Sequence, residues 1–297
     1  MANDIWAIAE LEGGTLKNIS LQLASKAAQL AAALGGQSAP VALGRGAQSA
    51  VAALGATGVN AVLVSDADIY DAYLAQPATD VLAQLIQQRQ PKAVLLPATV
   101  SGRDVAGRLA ARLGLGIEYN VTAADVVEGE IAMVVPAFGG QLNVNATFAG
   151  DGTRLILARQ NAFAATKTGG GATTETIPAP PTPASGAKVS GPFGTEGATE
   201  EGHMTTVNGH PQYVPPPSRS NVEEAAIIVS GGRGVGGPEG FAALDALAKA
   251  LGGAVGSSRP VTDDEWLPHH HHIGQTGRTV KPELHIACGI SGAVQHQ

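Results

Sequence analysis

Ala225-Ala226-Ile227-Ile228-Val229-Ser230-Gly231-Gly232-Arg233-Gly234-Val235-Gly236-Gly237-Pro238 is an apolar run, a glycine turn and a residue suited to the first turn of a helix. Ala225–Val229 has the length of a buried strand. Phe241, Leu244, Leu247, Ala248 and Leu251 supply the helical face that follows, and Gly252-Gly253 ends it before Ala254-Val255 begins a second strand. A last strand, Leu284–Cys288, meets the turn Gly289-Ile290-Ser291-Gly292 and the onset of another helix. Two strand–turn–helix junctions in so short a stretch predict a Rossmann-like cofactor domain. Gly232-x-Gly234-x-x-Gly237 satisfies the dinucleotide fingerprint: glycines admit a pyrophosphate close to the backbone, and N–H groups at a helix start favour anions. Arg233 adds a bidentate donor. A tight turn with no ligand is the bland alternative.

Upstream, the first 160 residues cycle between two periods. Ile5–Ala9 is strand-like, and Ile19, Leu23, Ala27, Leu30 and Leu34 form one helical face that Gly35-Gly36 closes. The cycle repeats from Val41, from Ala61 and from Ala93, the last leading to a helix through Leu109 and Leu113. Unalternating apolar runs separated by helices predict strands buried on both faces of a parallel sheet. Ile131–Val135, Leu142–Phe148 and Leu155–Ala158 then follow one another as antiparallel strands added to that sheet. From 166 to 221, Gly169-Gly170-Gly171, Pro178-Ala179-Pro180-Pro181 and Pro215-Pro216-Pro217 sit among Thr and Ser, which is linker chemistry. The expected organisation is an α/β chain: a three-layer parallel-sheet domain over 1–165, a linker over 166–221, and the Rossmann-like domain over 222–297.

Composition narrows the function. The 297 residues carry 18 Lys+Arg against 25 Asp+Glu, a net charge of −7 that does not suit a phosphate-backbone binder, so no nucleic-acid partner is expected. A single cysteine, Cys288, excludes an internal disulfide framework and a Cys-rich zinc module. Asp4 stands where a targeting peptide needs base, and no apolar stretch reaches the roughly 18 residues of a membrane span. A cytoplasmic protein with no membrane insertion is expected.

Other polar groups bear on chemistry. Gly256-Ser257-Ser258-Arg259 stands where an NAD enzyme would place an acid for the ribose, so plain NAD is disfavoured; a 2′-phosphate or another use of Arg259 remains, beside a surface salt bridge. His269-His270-His271-His272 lacks separated partners and reads as a solvated loop, not a metal site. Ile273-Gly274-Gln275-Thr276-Gly277 is a small polar loop, and Ser291 and His296 bracket the last helix start. Without a Gly-x-Ser-x-Gly elbow there is no hydrolytic triad, and no residue is assigned a catalytic role. Ser101 reads as a helix N-cap.

Val229–Gly234, Gly256–Arg259, Ile273–Gly277 and Cys288–His296 together resemble, in content, order and spacing, the alpha subunit of electron transfer flavoprotein. The first 160 residues resemble that family's first domain more loosely, in pattern and in stretches such as Leu95-Leu96-Pro97-Ala98-Thr99. The resemblance implies FAD on the C-terminal domain, a heterodimer with a beta subunit that carries AMP and contacts the first domain, and electron transfer from acyl-CoA dehydrogenases to a membrane quinone oxidoreductase. It implies an electron carrier, without a substrate pocket of its own. Carried over, Arg233 and Ser258 contact the FAD and Arg259 lies against the flavin ring. Gln275 and Thr276 line the flavin edge, with the Thr276 hydroxyl near N5. Ser291, Gln295 and His296 hold the ribityl–phosphate region and the O2 side. Ile273, Gly274, Gly292, Ala293 and Val294 complete the cofactor-binding set. The family has Asp and Gln within the stretch that reads His269–His272 here, and its members continue past Gln297, so the C-terminal domain reads as incomplete. The alternatives are an NADP-dependent oxidoreductase domain, resting on the glycine fingerprint and Arg259, and an interaction protein that keeps the fold without the cofactor.

Overall fold

Ile5–Ala9 (β1) buries side chains on both faces, as a strand in the middle of a parallel sheet must. It belongs to the first of two compact units, Met1–Gly191 and Pro192–Gln297, in a computed structural model that describes residues 3–138, 141–183, 187–188, 202–207, 209–216, 219 and 221–292. A small hairpin, Leu11–Glu12 (β2) with Thr15–Leu16 (β3), leads into the helix Asn18–Leu34 (α1), which Gly35 ends in the left-handed conformation. Then come Ser38–Leu43 (β4), Ala47–Gly55 (α2), Ala61–Ser65 (β5), Ile69–Ala72 (α3), Gln76–Arg89 (α4), Ala93–Pro97 (β6) and Val100–Leu113 (α5). Five more strands follow: Ile117–Val121 (β7), Ala123–Val127 (β8), Glu130–Ala137 (β9), Leu142–Ala146 (β10) and Arg154–Ala158 (β11).

One seven-stranded sheet, ordered β5-β4-β1-β6-β11-β7 with a further strand outside β5, has only parallel pairings. Trp6, Val41, Leu63, Val94 and Leu155 pack on one face against α4 and α5. Ile5, Ala7, Leu95 and Ile156 pack on the other against α1 and the β8–β9 strands, so the unit has the three layers expected. The three antiparallel strands expected to extend this sheet are not found there. Leu155–Ala158, expected antiparallel, lies parallel between β6 and β7; the five residues of β11 are all buried, and only a central strand with both faces covered accommodates that. β8, β9 and β10 are antiparallel, but in a separate three-stranded sheet. The cap of α5 is also not Ser101. Thr99 accepts the Gly102 N–H at 3.1 Å, and Ser101 is exposed within the first turn.

Among the described residues of the Pro/Gly-rich stretch, two pieces have regular structure. Thr173–Thr176 (β12) is the strand outside β5, held by a backbone ladder that needs no apolar side chains; Ile177 behind it is buried. His203–Val207 (β13) and His210–Val214 (β14) form a hairpin of the second unit. Tyr213 on β14 packs with Val229 and Phe241, and its hydroxyl donates to Asp245 at 3.1 Å. Arg219 clasps the same buried carboxylate at 2.6 and 2.9 Å.

The rest of the second unit is Ile227–Gly231 (β15), Phe241–Leu251 (α6), Ala254–Ser257 (β16), Arg259–Asp263 (α7) and Leu284–Cys288 (β17). The strands make a parallel sheet ordered β16-β15-β17. Among the described residues no helix is long and apolar enough to cross a membrane, and no group of three His, Cys, Asp or Glu is placed to hold a metal ion.

Candidate functional site

The three strands of the second sheet end level: Gly231 pairs with Ser257 on one side and with Cys288 on the other. Arg233, Ser258, Arg259 and Ser291 lie on the segments leaving these ends, so strand register gathers residues far apart in the chain. This is the edge at which open parallel sheets bind ligands. Loop 272–278 joins it. The Ile273 N–H donates to the Ser257 carbonyl at 2.9 Å, and the Arg278 N–H closes the loop on the His272 carbonyl at 2.7 Å. Ile273 is buried beneath, whereas Gln275 and Thr276 are exposed at the tip. Gly292 is described and exposed; Ala293, Val294, Gln295 and His296 lie outside the described residues.

The glycine fingerprint serves a different purpose from the one its spacing predicts. The Gly232 N–H donates to the Cys288 carbonyl at 2.9 Å and the Gly234 N–H to the Gly289 carbonyl at 3.0 Å. A Cβ on Gly232 would run into the Gly289 carbonyl, and one on Gly234 would lie 2.6 Å from the Gly289 Cα. These glycines let two loops touch, so two of the N–H groups a pyrophosphate would use are already engaged. One 3-10 turn, Arg233–Val235, lies within the motif and a second, Pro238–Gly240, separates it from α6, which starts only at Phe241 and not at Pro238.

Both arginines pair with carboxylates, and for Arg259 this is the surface salt bridge that the sequence reading kept open. Arg233 makes two hydrogen bonds to Asp264, at 2.7 and 3.0 Å, and Arg259 bonds Asp263 at 3.2 Å one turn along α7. The Asp264 pairing raises the Arg233 pKa, and the hydrogen bond from Arg233 lowers that of Asp264. Both guanidiniums stay well exposed, at 63% and 62%. The i,i+4 spacing of Arg259 and Asp263 was legible in the sequence; the Arg233–Asp264 contact depends on the fold.

The four histidines are only half a solvated loop. His269 and His270 are exposed, while His271 and His272 are buried, because the bridge between Ser257 and His272 folds the segment back onto β16. The His271 Nδ1–H donates to the Val255 carbonyl at 2.7 Å, leaving Nε2 as a bare acceptor with no partner among the described residues. Burial, reinforced by the neighbouring His270, pushes the His271 pKa down to about 4. The Ser257 hydroxyl, wholly buried at the end of β16, likewise lacks a partner among the described residues.

These residues fit a flavin nucleotide by donor chemistry. Two exposed guanidiniums suit its phosphates or a ring gaining negative charge, and the Ser291 and Thr276 hydroxyls with the Gln275 amide suit its polar edges.

Comparison with known proteins agrees. Residues 5–184 match a family model described as Electron transfer flavoprotein domain, and residues 221–297 match one described as Electron transfer flavoprotein FAD-binding domain. The electron transfer flavoprotein subunit alpha of Mycobacterium leprae is 40% identical over 234 residues, which are 79% of this chain and 66% of that protein. The one from Thermoanaerobacterium thermosaccharolyticum is 33% identical over 294 residues, covering 99% of this chain and 84% of the relative. Protein FixB of Rhizobium meliloti is 31% identical over 304 residues, covering 99% and 80%. The chain thus spans just under two thirds of the mycobacterial relative's length. Matches to both family domains, in the order that the two units follow along the chain, place it in the electron transfer flavoprotein alpha-subunit family.

Proposed function

We propose that this chain is the FAD-holding subunit of a heterodimeric electron carrier. In this reading it pairs with a beta subunit that carries AMP, accepts electrons from acyl-CoA dehydrogenases and passes them to a quinone oxidoreductase at the membrane. The observation that carries the FAD assignment is the gathering of Arg233, Ser258, Arg259 and loop 272–278 at the carboxyl edge of β16-β15-β17, inside the span that matches the FAD-binding domain. The donors and acceptors of electrons rest on the family resemblance.

Bound FAD supplies one- and two-electron redox chemistry, and the protein tunes it. Arg233 and Ser258 are the proposed contacts to the nucleotide. Arg259 brings a positive charge that favours any negative charge arising beside it; Asp263 holds that guanidinium on α7 and tempers its field. Thr276 and Gln275 offer a hydroxyl and an amide from a tip fixed by the backbone closure of its loop. Ser291, Gly292, Ala293, Val294, Gln295 and His296 complete the proposed set, with Ile273 and Gly274 beneath the tip.

The test is a flavin absorbance spectrum and a redox titration of the chain purified with its beta partner. Stoichiometric FAD is expected, with a lower midpoint potential in Arg259→Ala. Thr276→Ala is expected to shift the potential more than it weakens FAD binding, with Thr276→Ser near wild type. A complex free of flavin that instead binds NADPH would replace this reading with an NADP-dependent one.

A further inference from the structure

A crevice in the first unit is lined by none of the residues assigned above. From β1 the chain builds outward through β4 to β5, then crosses to the opposite side of β1 to lay down β6. The carboxyl ends of β1 and β6 therefore flank a point where the direction of winding reverses, and open α/β sheets leave a ligand crevice there. A cavity of about 410 Å³ occupies this position, bounded by the segments after β1, β4 and β6 and by residues 70–75. That is the size of a small-molecule site, which typically runs roughly 300–1,000 Å³. Its apolar wall comes from Ile8, Leu43, Leu82, Leu96 and Val105, and Val100 (82% exposed) and Leu74 (56%) stand at its mouth.

The same crevice in a nucleotide-binding protein would seat phosphate at the helix starts. Here the chain's own carboxylates are already there. Asp66 accepts the Gly46 and Gln48 N–H groups, both at 3.0 Å, at the start of α2. Glu10 accepts the Thr99 hydroxyl at 2.8 Å, at the cap of α5. Every charge on the lining is also matched within the chain. Glu10 pairs with Lys17 at 3.3 Å, Arg45 with Asp71 at 3.1 Å, and Asp104 with Arg108 at 2.7 Å. An anion would face Glu10, Asp71 and Asp104, and a cation would find no carboxylate without a partner already beside it.

We propose that this crevice is a binding site for an uncharged, mainly apolar small molecule, distinct from the flavin site of the second unit. The large apolar residues left exposed at its mouth are then the rim that such a ligand covers.

The experiment titrates the full chain with N-phenyl-1-naphthylamine, a neutral probe whose fluorescence rises in apolar surroundings. Saturable binding is expected, unaffected by millimolar AMP or inorganic phosphate. Ala78→Phe, which fills the cavity from α4, should weaken binding at least tenfold. Val100→Asp, at an exposed position where folding is not at issue, should also weaken it by placing an unmatched charge at the mouth. Absence of saturable binding, an affinity unchanged in both variants, or displacement of the probe by AMP or phosphate would each overturn the proposal.

Discussion

His271 couples folding to pH through one side chain. In the folded state it is a neutral base with a pKa of about 4, whereas an unfolded chain would hold it near 6.5. Between those values the unfolded state binds the extra proton, so stability is full above about pH 6.5, falls as the pH drops toward 4, and levels off below. The shift corresponds to roughly 3 kcal/mol as an order of magnitude. Thermal melts between pH 7 and pH 4.5 should show this slope, and His271→Gln should flatten it; parallel curves would show that the slope lies elsewhere. The burial of this residue was not legible in a run of four histidines, because it follows from a tertiary bridge between Ser257 and His272. Arg259 and Thr276 entered the candidate site only through the resemblance of Gly256–Arg259 and Ile273–Gly277 to family motifs, since each stretch by itself reads as an ordinary turn. The charge beside Arg259 offers a second check. Asp263→Asn should raise the flavin potential by less than Arg259→Ala lowers it, since exposed pairs carry only about 0–1 kcal/mol. A lowered potential in Asp263→Asn would mean that the carboxylate acts by holding the guanidinium in place and not by offsetting its charge.

At the scale of elements, the β13–β14 hairpin shows how little composition reveals about attachment. Its sequence is polar and proline-flanked, yet Tyr213 enters the core of the second unit and Arg219 closes on the buried Asp245. Breaking such a pair from one side leaves a buried charge uncompensated, at a cost of about 3–5 kcal/mol. Arg219→Ala should therefore lower the urea midpoint of the second unit markedly, and pairing it with Asp245→Asn should recover part of the loss. An additive double variant would show that the two residues act independently. The strand from Arg154 to Ala158 teaches the converse. Its unbroken apolar run matched the signature of a parallel strand, but its position after a series of antiparallel candidates outweighed that signature in the sequence reading. Sequence neighbourhood misled where side-chain pattern did not.

Across the whole molecule, the two units share a logic of parallel strands whose order in space departs from their order in the chain. The α/β class, the helix periods and most strands were readable because each is a local pattern, with apolar runs at one period and helical faces at another. Which strand lies beside which was not readable, since pairing such as Arg154 with Ala93, or Thr173 with Ala61, joins segments that no local pattern links. That topology has a consequence in time. On the ribosome, β1, β4, β5 and β6 emerge first, yet the sheet cannot connect to β7 until β11 arrives to lie between β6 and β7. Until then β6 presents a bare strand edge and the apolar faces of its neighbours are only partly covered. A nascent chain ending at residue 150 should exchange its sheet amides rapidly and lack a cooperative unfolding transition, whereas one ending at residue 183 should acquire both protection and cooperativity. Protection already present at residue 150 would show that the early strands form a stable sheet without their later neighbour. Slow exchange only after residue 183 would thus mean that synthesis includes an interval, set by the distance from β6 to β11, in which a half-built sheet is open to chaperone capture or aggregation.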